Sequence, residues 1–408
     1  MGILTSILVN AWPGNGSGCR VGRTQTQKHR TRGKEFAACL IYLLGTGVAP
    51  VSSAKAEPLR VATWNVELSR KGPGLLLRDI LRNDDPAISQ AADTIVQIDP
   101  DILLLTGFDW DHGLAAAGAF AEMLRHKGSL YPHLFAPKPN SGVTTGLDMD
   151  GDGRTGDARD TQGYGRFLGD GGLLLLSKWP LMRDEVTDFT AINWVDLPDA
   201  LLPVVDGAPF PSAEALNQQR LSSTGHWDVP IQVGVTKLHI LAFAATPPVF
   251  DGPEDRNGRR NHDENAIWLR YLAGDLAQPP PEAPLVVMGN ANLDPVDGEG
   301  LHDAILNLTN HPRMQDPRPS SAGAVEAAIL QAGKNLNHAG DPGLDTADWS
   351  DETGPGNLRV SYVLPDKRLQ AGDAGVFWPA SNDPLRDLIT GETAARHRLV
   401  WVDLSLGD

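Results

Sequence analysis

Asn290 and Asn292 follow an apolar run in the string "PLVVMGNANLDP", residues 284–295. Such a run, stopped by Gly289 and polar side chains, predicts a buried strand whose tip reaches a working edge of the fold. A carboxylate at that tip could hold a metal or take a proton. An amide holds a metal weakly and accepts no proton. The chemistry left to this tip is hydrogen bonding, in a binding site or in a catalytic site that has lost its acid.

Three further groups could do chemistry. In "DMDGDGRTGDARD" (148–160) the acids Asp148, Asp150 and Asp152 alternate, with Gly153 at a sharp turn, which predicts the first half of a calcium loop. The twelfth position is Arg159 rather than Glu, so a standard EF-hand is excluded; Asp157 or Asp160 would have to complete the shell, and an acidic surface turn is the alternative. In "FDGPEDRNGRRNHDE" (250–264), Arg256, Arg259 and Arg260 stand beside a predicted helix start. They read as an anion-binding loop or as arginines paired with Asp255, Asp263 and Glu264. Glu67 lies two residues beyond Asn65 on the same strand face and could offer a metal carboxylate; Asp109 and Asp111 read as solvated loop acids. In "GHWDVP", Trp227 reads as core, and the role of His226 is left open.

The elements that must position these groups are legible as apolar runs. Strands are predicted at 59–66, 101–108, 171–177, 226–235, 237–246, 284–290, 358–365 and 397–406. Helices are predicted at 86–98 behind a proline start, at 114–127, and at 261–276 with Asn261 as its cap. Strands and helices mix without strict alternation, and several neighbouring strands read as hairpins. This favours an α/β sandwich of mixed sheets flanked by helices over a doubly wound parallel sheet. The segments 138–170, 247–261 and 310–357 are rich in Gly, Pro and Asp and read as long functional loops.

The 408-residue chain has a net charge of −16. Its first 56 residues read as a leader to be removed: a basic "KHRTRGKEF", a short apolar "AACLIYLLGTGVAPV", and small residues Ala54 and Ala56 at a cleavage site after Ala56. Residues before Lys28 read as an extended leader or as translation from too early a start. This predicts a secreted or periplasmic protein whose residues 57–408 form a single domain. Both cysteines, Cys19 and Cys39, fall in the leader, so no disulfide is expected afterwards. Removing seven Lys/Arg and one Glu from the totals of 35 basic and 51 acidic residues leaves 28 against 50, a charge of −22. Such a surface repels polyanions, so nucleic acid is a poor partner. No stretch is long enough to span a membrane.

Taken in order, "ATWNVE", "PDILLL", "LLLLSKWPL", "TPPVFDGPEDRNGRRNHDE", "VVMGNAN", "LRVSYVLP" and "RHRLVWVDL" resemble the endonuclease/exonuclease/phosphatase family over residues 59–406. The resemblance implies a four-layered DNase I-like sandwich, two packed mixed sheets covered by helices. It also implies a hydrolase of phosphoesters that uses Mg2+ or Mn2+, a base and a carboxylate-held histidine. Asn65 and Asn292 match family site positions, and His397 matches the terminal histidine. Five other matched positions depart from the pattern: Gly107 where a metal-binding Glu stands, Ala244 for a His, Asn290 for the Asp that handles water, Ser361 for the Asp that holds His397, and Arg396 for the Asp before it.

Residues that act as one catalytic unit fail together, so five departures predict lost or weak metal binding and lost or severely impaired turnover. A pocket for a small phosphate ester or other anion would remain. Two other readings compete: a phosphodiesterase with a rearranged site using Glu67, Asn292 and His397, and an exported structural module stabilised by calcium. Metal-dependent hydrolysis separates the first of these from the rest, and protection by phosphate against unfolding separates an anion pocket from a purely structural module.

Overall fold

The computed structural model describes residues 58–406, so the predicted leader and the cleavage point after Ala56 lie outside the described residues. In chain order the strands are β1 (Leu59–Asn65), β2 (Ile102–Phe108), β3 (His133–Phe135), β4 (Gly172–Ser177), β5 (Thr187–Asp188), β6 (Val204–Val205) and β7 (Ala208–Pro209). They continue with β8 (Gly225–Val233), β9 (Thr236–Ala244), β10 (Leu285–Asn290), β11 (Ser361–Pro365), β12 (Gln370–Val376) and β13 (Val400–Ser405). The helices are α1 (Leu75–Arg82), α2 (Pro86–Ile98), α3 (Ala115–Lys127), α4 (Ala213–Gln218), α5 (Arg256–Ala273), α6 (Asp303–Thr309) and α7 (Ala322–Gln331).

Two mixed sheets carry the fold. One has the order β12-β13-β1-β2-β4-β3, the other β11-β10-β9-β8-β5, and β6 and β7 form a separate ribbon. In the first sheet β1 runs parallel to β2 and antiparallel to β13; in the second β10 runs parallel to β9 and antiparallel to β11.

Side-chain alternation then sorts the residues of the second sheet between two cores. Ile240, Ala242 and Ala244 of β9, Val286 and Met288 of β10, and Val363 of β11 share a core with β1, β2 and β4. Their neighbours Leu241, Phe243, Leu285, Val287, Tyr362 and Leu364 join α5 and α6 in a second core on the other face. Helices α1, α2 and α3 pack on the first sheet, which completes a four-layered α/β sandwich.

Two differences from expectation bear on the site. Helix α5 starts at Arg256, not behind Asn261. Asn261 is buried inside the helix, where its amide donates to the carbonyls of Thr246 (2.6 Å) and Ala291 (2.8 Å). A residue that reads as a cap is instead a clamp on the chain leaving β9 and β10. The segment 310–357 is not one long loop, since α7 lies within it. By contrast α2 begins as its sequence predicts, with Pro86 first and Asp85 accepting from the N–H of Ile88 at 3.1 Å. Among the described residues no helix is long and apolar enough to cross a membrane.

Candidate functional site

At the tip of β10, Asn290 pairs with Ala244 on one side and Ser361 on the other. Parity along the strands puts all three on the face that carries Met288, Ala242 and Val363 into the inter-sheet core. Asn290 and Ser361 are buried, and the Ser361 hydroxyl lies 3.5 Å from Asn290 Oδ1. Gly289 is required for this pairing, because at φ 154° a Cβ would sit 2.0 Å from the Phe243 carbonyl oxygen. Asn292 turns with φ 48° and donates to the Ala245 carbonyl at 2.7 Å, which ties the tips of β9 and β10 together. None of Ala244, Asn290, Asn292 and Ser361 carries a charge.

The other half lies beyond β1 and β2. Gly107 sits at an irregularity in the β2–β4 pairing with φ 67°, and a Cβ there would meet Asn65 Oδ1 at 2.4 Å. Glu67, itself at φ 53°, accepts from the backbone N–H of Arg396 at 2.8 Å. The Arg396 guanidinium is 3.6 Å from the same carboxylate, and His397 Nε2 is 4.0 Å away. Thus Glu67, Arg396 and His397 are brought together, as are Asn65 and Gly107.

His397 is only 4% exposed, its Nδ1 has no hydrogen-bond partner, and its ring meets Trp349 edge-on at 5.2 Å. Burial pushes its pKa down to about 3, and the flanking charges of Arg396 and Arg398 push the same way. It is a neutral imidazole at physiological pH.

A strap unforeseen in the sequence stitches the two halves. The Thr346 hydroxyl accepts from the N–H groups of Val360 (2.9 Å) and Ser361 (3.1 Å), and its carbonyl accepts from Arg398 N–H at 2.8 Å. Ala347 bridges both Leu358 and His397, and Asp348 pairs with Arg398 at 3.0 Å. Nothing in the composition of 341–350 marks this role; it follows from the long-range pairing. Just before the strap, Asp345 is buried, and burial followed by repulsion from Asp294, Asp297 and Asp341 raises its pKa to about 8.

Asn65, Glu67, Gly107, Arg396, His397 and Arg398 all line a cleft of about 650 Å³ that extends towards α2 and Ile389. The volume is within the range of small-ligand pockets.

The remaining candidates have other placements. Asp109 is not a solvated loop acid: it is buried and accepts from Arg70 N–H (2.8 Å) and Gly171 N–H (2.9 Å), and burial pushes its carboxyl up to about 6. Asp111 accepts from the N–H groups of Ala115 and Ala116 at 2.7 Å each, capping the start of α3. His226 is buried between the Ser222 hydroxyl and the Glu264 carbonyl, each at 2.8 Å, and burial lowers its pKa to about 4. Trp227 is in the core as predicted.

Of the three arginines, Arg260 donates to the carbonyls of Leu221, Gln162 and Arg220, and Arg259 to that of Glu254. Asp263 and Glu264 are taken mainly by neutral donors: Trp194 and Leu201 on Asp263, Ser223 and Thr246 on Glu264. Asp148, Asp150 and Asp152 bring carboxylate oxygens within 4.8 Å of one another, and Arg159 approaches Asp150 at 3.5 Å.

The sequence pattern of the Endonuclease/Exonuclease/phosphatase family matches residues 62–397. The chain belongs to this family, whose fold is that of metal-dependent phosphoester hydrolases. No curated protein matches it. Among solved structures it is similar to an endonuclease/exonuclease/phosphatase from Beutenbergia cavernae, at 16% identity, 86% of this chain, 72% of that chain and TM-score 0.48. It is also similar to a family protein from Leptotrichia buccalis, at 14% identity, 85% of this chain, 99% of that one and TM-score 0.45. A third is a beta toxin from Staphylococcus aureus with bound magnesium ions, at 9% identity, covering 85% and 99%, with TM-score 0.39. Membership rests on the sequence match and on the two sheets described above.

Proposed function

We propose that the chain is a family member with turnover lost or severely impaired, whose cleft beside Glu67, Arg396 and His397 takes a small phosphate ester or another organic anion. The observation that carries this reading is the fate of Glu67. The acid that could hold a divalent cation is bound instead by the protein's own Arg396, through its N–H at 2.8 Å and its guanidinium at 3.6 Å. The position expected to supply a second acid is Gly107, where φ 67° strains any side chain and a Cβ would displace the Asn65 amide oxygen.

Asn65, Glu67 and Gly107 therefore do not fit a Mg2+ or Mn2+ ion. The rest of the site supports the same reading. Asn290 cannot accept a proton, Ala244 offers no imidazole, and His397 is held neutral with two guanidiniums beside it and no carboxylate partner closer than Glu67. In this reading the Arg396 guanidinium, two-thirds exposed, supplies the positive charge that an anion needs, and no metal bridges the two. A surface of strong negative charge still disfavours nucleic acid as that anion.

The test has two readouts. Hydrolysis of an activated phosphodiester with magnesium, manganese or calcium is expected at background rate, whereas inorganic phosphate should raise the melting temperature and Arg396→Ala should remove that gain. Restoring Ala244→His, Asn290→Asp and Ser361→Asp together should raise hydrolysis beyond the sum of the single changes. Metal-dependent turnover by the unaltered chain, lost on His397→Ala, would instead establish a rearranged active enzyme.

A further inference from the structure

A second cavity, of about 830 Å³, shares no lining residue with the Arg396 cleft. It opens beside Thr246 and Pro247, just beyond the tip of β9, and its far wall is the loop that carries Asp150 and Asp152. Two large aromatic side chains on its walls stand in water: Phe250 is 80% exposed and Tyr164 65%. Phe250 also takes a left-handed backbone conformation, φ 72°. Exposed rings grouped on one concavity form a stacking surface that the folded core does not need.

The polar groups around these rings are of both kinds. Arg256 is partly buried, makes no ion pair among the described residues, and uses one guanidinium nitrogen on Gln219 Oε1 at 2.7 Å. The other arginines on the wall are engaged, Arg159 with Asp150 and Arg260 with backbone carbonyls. Asp251 and Glu254 each give a carboxylate oxygen to a nearby N–H, of Asn257 and Gly252 respectively, and each retains acceptor capacity.

Four carboxylates against three guanidiniums repel a phosphate or polyanion, while the Arg256 guanidinium, without an ion pair among the described residues, repels an organic cation beside it. A neutral ligand that both donates and accepts many hydrogen bonds, and has an apolar face for an aromatic ring, meets every wall. We propose that this cavity binds a neutral carbohydrate: sugar hydroxyls donate to Asp251 and Glu254, accept from Arg256, and the C–H face of the ring stacks on Phe250 and Tyr164. The site is independent of whether the Arg396 cleft takes an anion.

Saturation-transfer NMR with the full exported chain tests it, using cellobiose, maltose and chitobiose as neutral probes, and glucose against glucose 6-phosphate as the charge comparison. At least one disaccharide should bind. Phe250→Ala and Tyr164→Ala should each weaken it by roughly tenfold, with an unchanged melting temperature because both rings are largely in solvent. Arg256→Leu should weaken it as well. The proposal is overturned if no disaccharide shows transfer, if binding survives the Phe250→Ala and Tyr164→Ala double change, or if glucose 6-phosphate binds more tightly than glucose.

Discussion

The tips of β9, β10 and β11 and the segment beyond β1 and β2 face the same strap, yet the structure holds their residues in different ways. On the first side Ala244, Asn290 and Ser361 keep regular strand pairing, so the departures proposed above would there be of side-chain chemistry alone. On the second side the backbone itself is committed: Gly107 and Glu67 both have positive φ, and Arg396 grips Glu67 through its main chain. A difference confined to side chains is open to reversal by substitution. A difference built into backbone conformation is harder to reverse, because a side chain at Gly107 would carry left-handed strain and displace Asn65.

The largest effect follows from that contrast. Gly107→Glu should destabilise the protein by about 2 kcal/mol, since a left-handed conformation costs a side-chain-bearing residue roughly 1–2 kcal/mol and the new Cβ would also displace the Asn65 amide. Asn290→Asp is nearly isosteric and, measured near pH 5, should cost on the order of 1 kcal/mol. Urea unfolding of the two variants checks the ordering. Equal stability of Gly107→Glu and the unaltered chain would show that the second side is as adaptable as the first.

How much of this was legible in the sequence follows the same division. The strand tips bearing Asn65, Ala244 and Asn290 were readable because apolar runs end at or just beyond them in Gly, Pro or polar residues. His397 was readable as a position, but its neutral state was not, because that comes from burial and from Arg398, whose place is set by Asp348 far away in the chain. Asn261 was misread because an Asn before an apolar-periodic stretch has the local signature of a cap, and only the chain leaving β9 and β10 reveals its carbonyl partners. The strap at 346–348 was invisible for a similar reason: its partners Ser361 and His397 are recruited by tertiary pairing, and Gly- and Asp-rich flanks conceal it.

The two sides should also respond to pH with opposite sign. His397 has a folded pKa of about 3, below the ordinary histidine value. The unfolded chain takes up its proton near pH 6.5 and the folded chain does not, so the stability present above pH 6.5 is lost as pH falls towards 3, at up to about 1.4 kcal/mol per pH unit. His397→Gln should flatten that loss; His226 has the same sign but is present in both proteins, so the difference reports His397 alone. Asn290→Asp should do the reverse. Its buried carboxyl, with no cation partner, would ionise at a higher pH folded than unfolded, so the variant loses stability relative to the parent as pH rises above about 4. Denaturant titrations at pH 4.5, 5.5, 6.5 and 7.5 measure both slopes, and slopes of the same sign would contradict the division into a charged and an uncharged side.

The smallest effect uses a third group of acids, outside both sides, of which only Asp152 is exposed. Asp148 receives the N–H groups of Gly151 (2.6 Å) and Gly153 (2.8 Å), Asp152 that of Arg154 (2.8 Å), and Asp150 faces Arg159 at 3.5 Å. As at Glu67, an exposed guanidinium approaches a less exposed carboxylate that could otherwise face a metal, but here two further carboxylates stand beside it. If calcium occupies the loop, a concentration about ten times its Kd should add about 1.4 kcal/mol, a rise of about 2 °C in melting temperature for a protein of this size. Chelator should reverse the rise and Asp150→Ala should abolish it. Arg159→Ala removes the competing cation and should enlarge it, just as Arg396→Ala should free Glu67 without creating a metal site, because no second acid stands at Gly107. A melting curve indifferent to calcium in both the parent and Arg159→Ala would leave the loop a hydrogen-bonded surface turn with no ion.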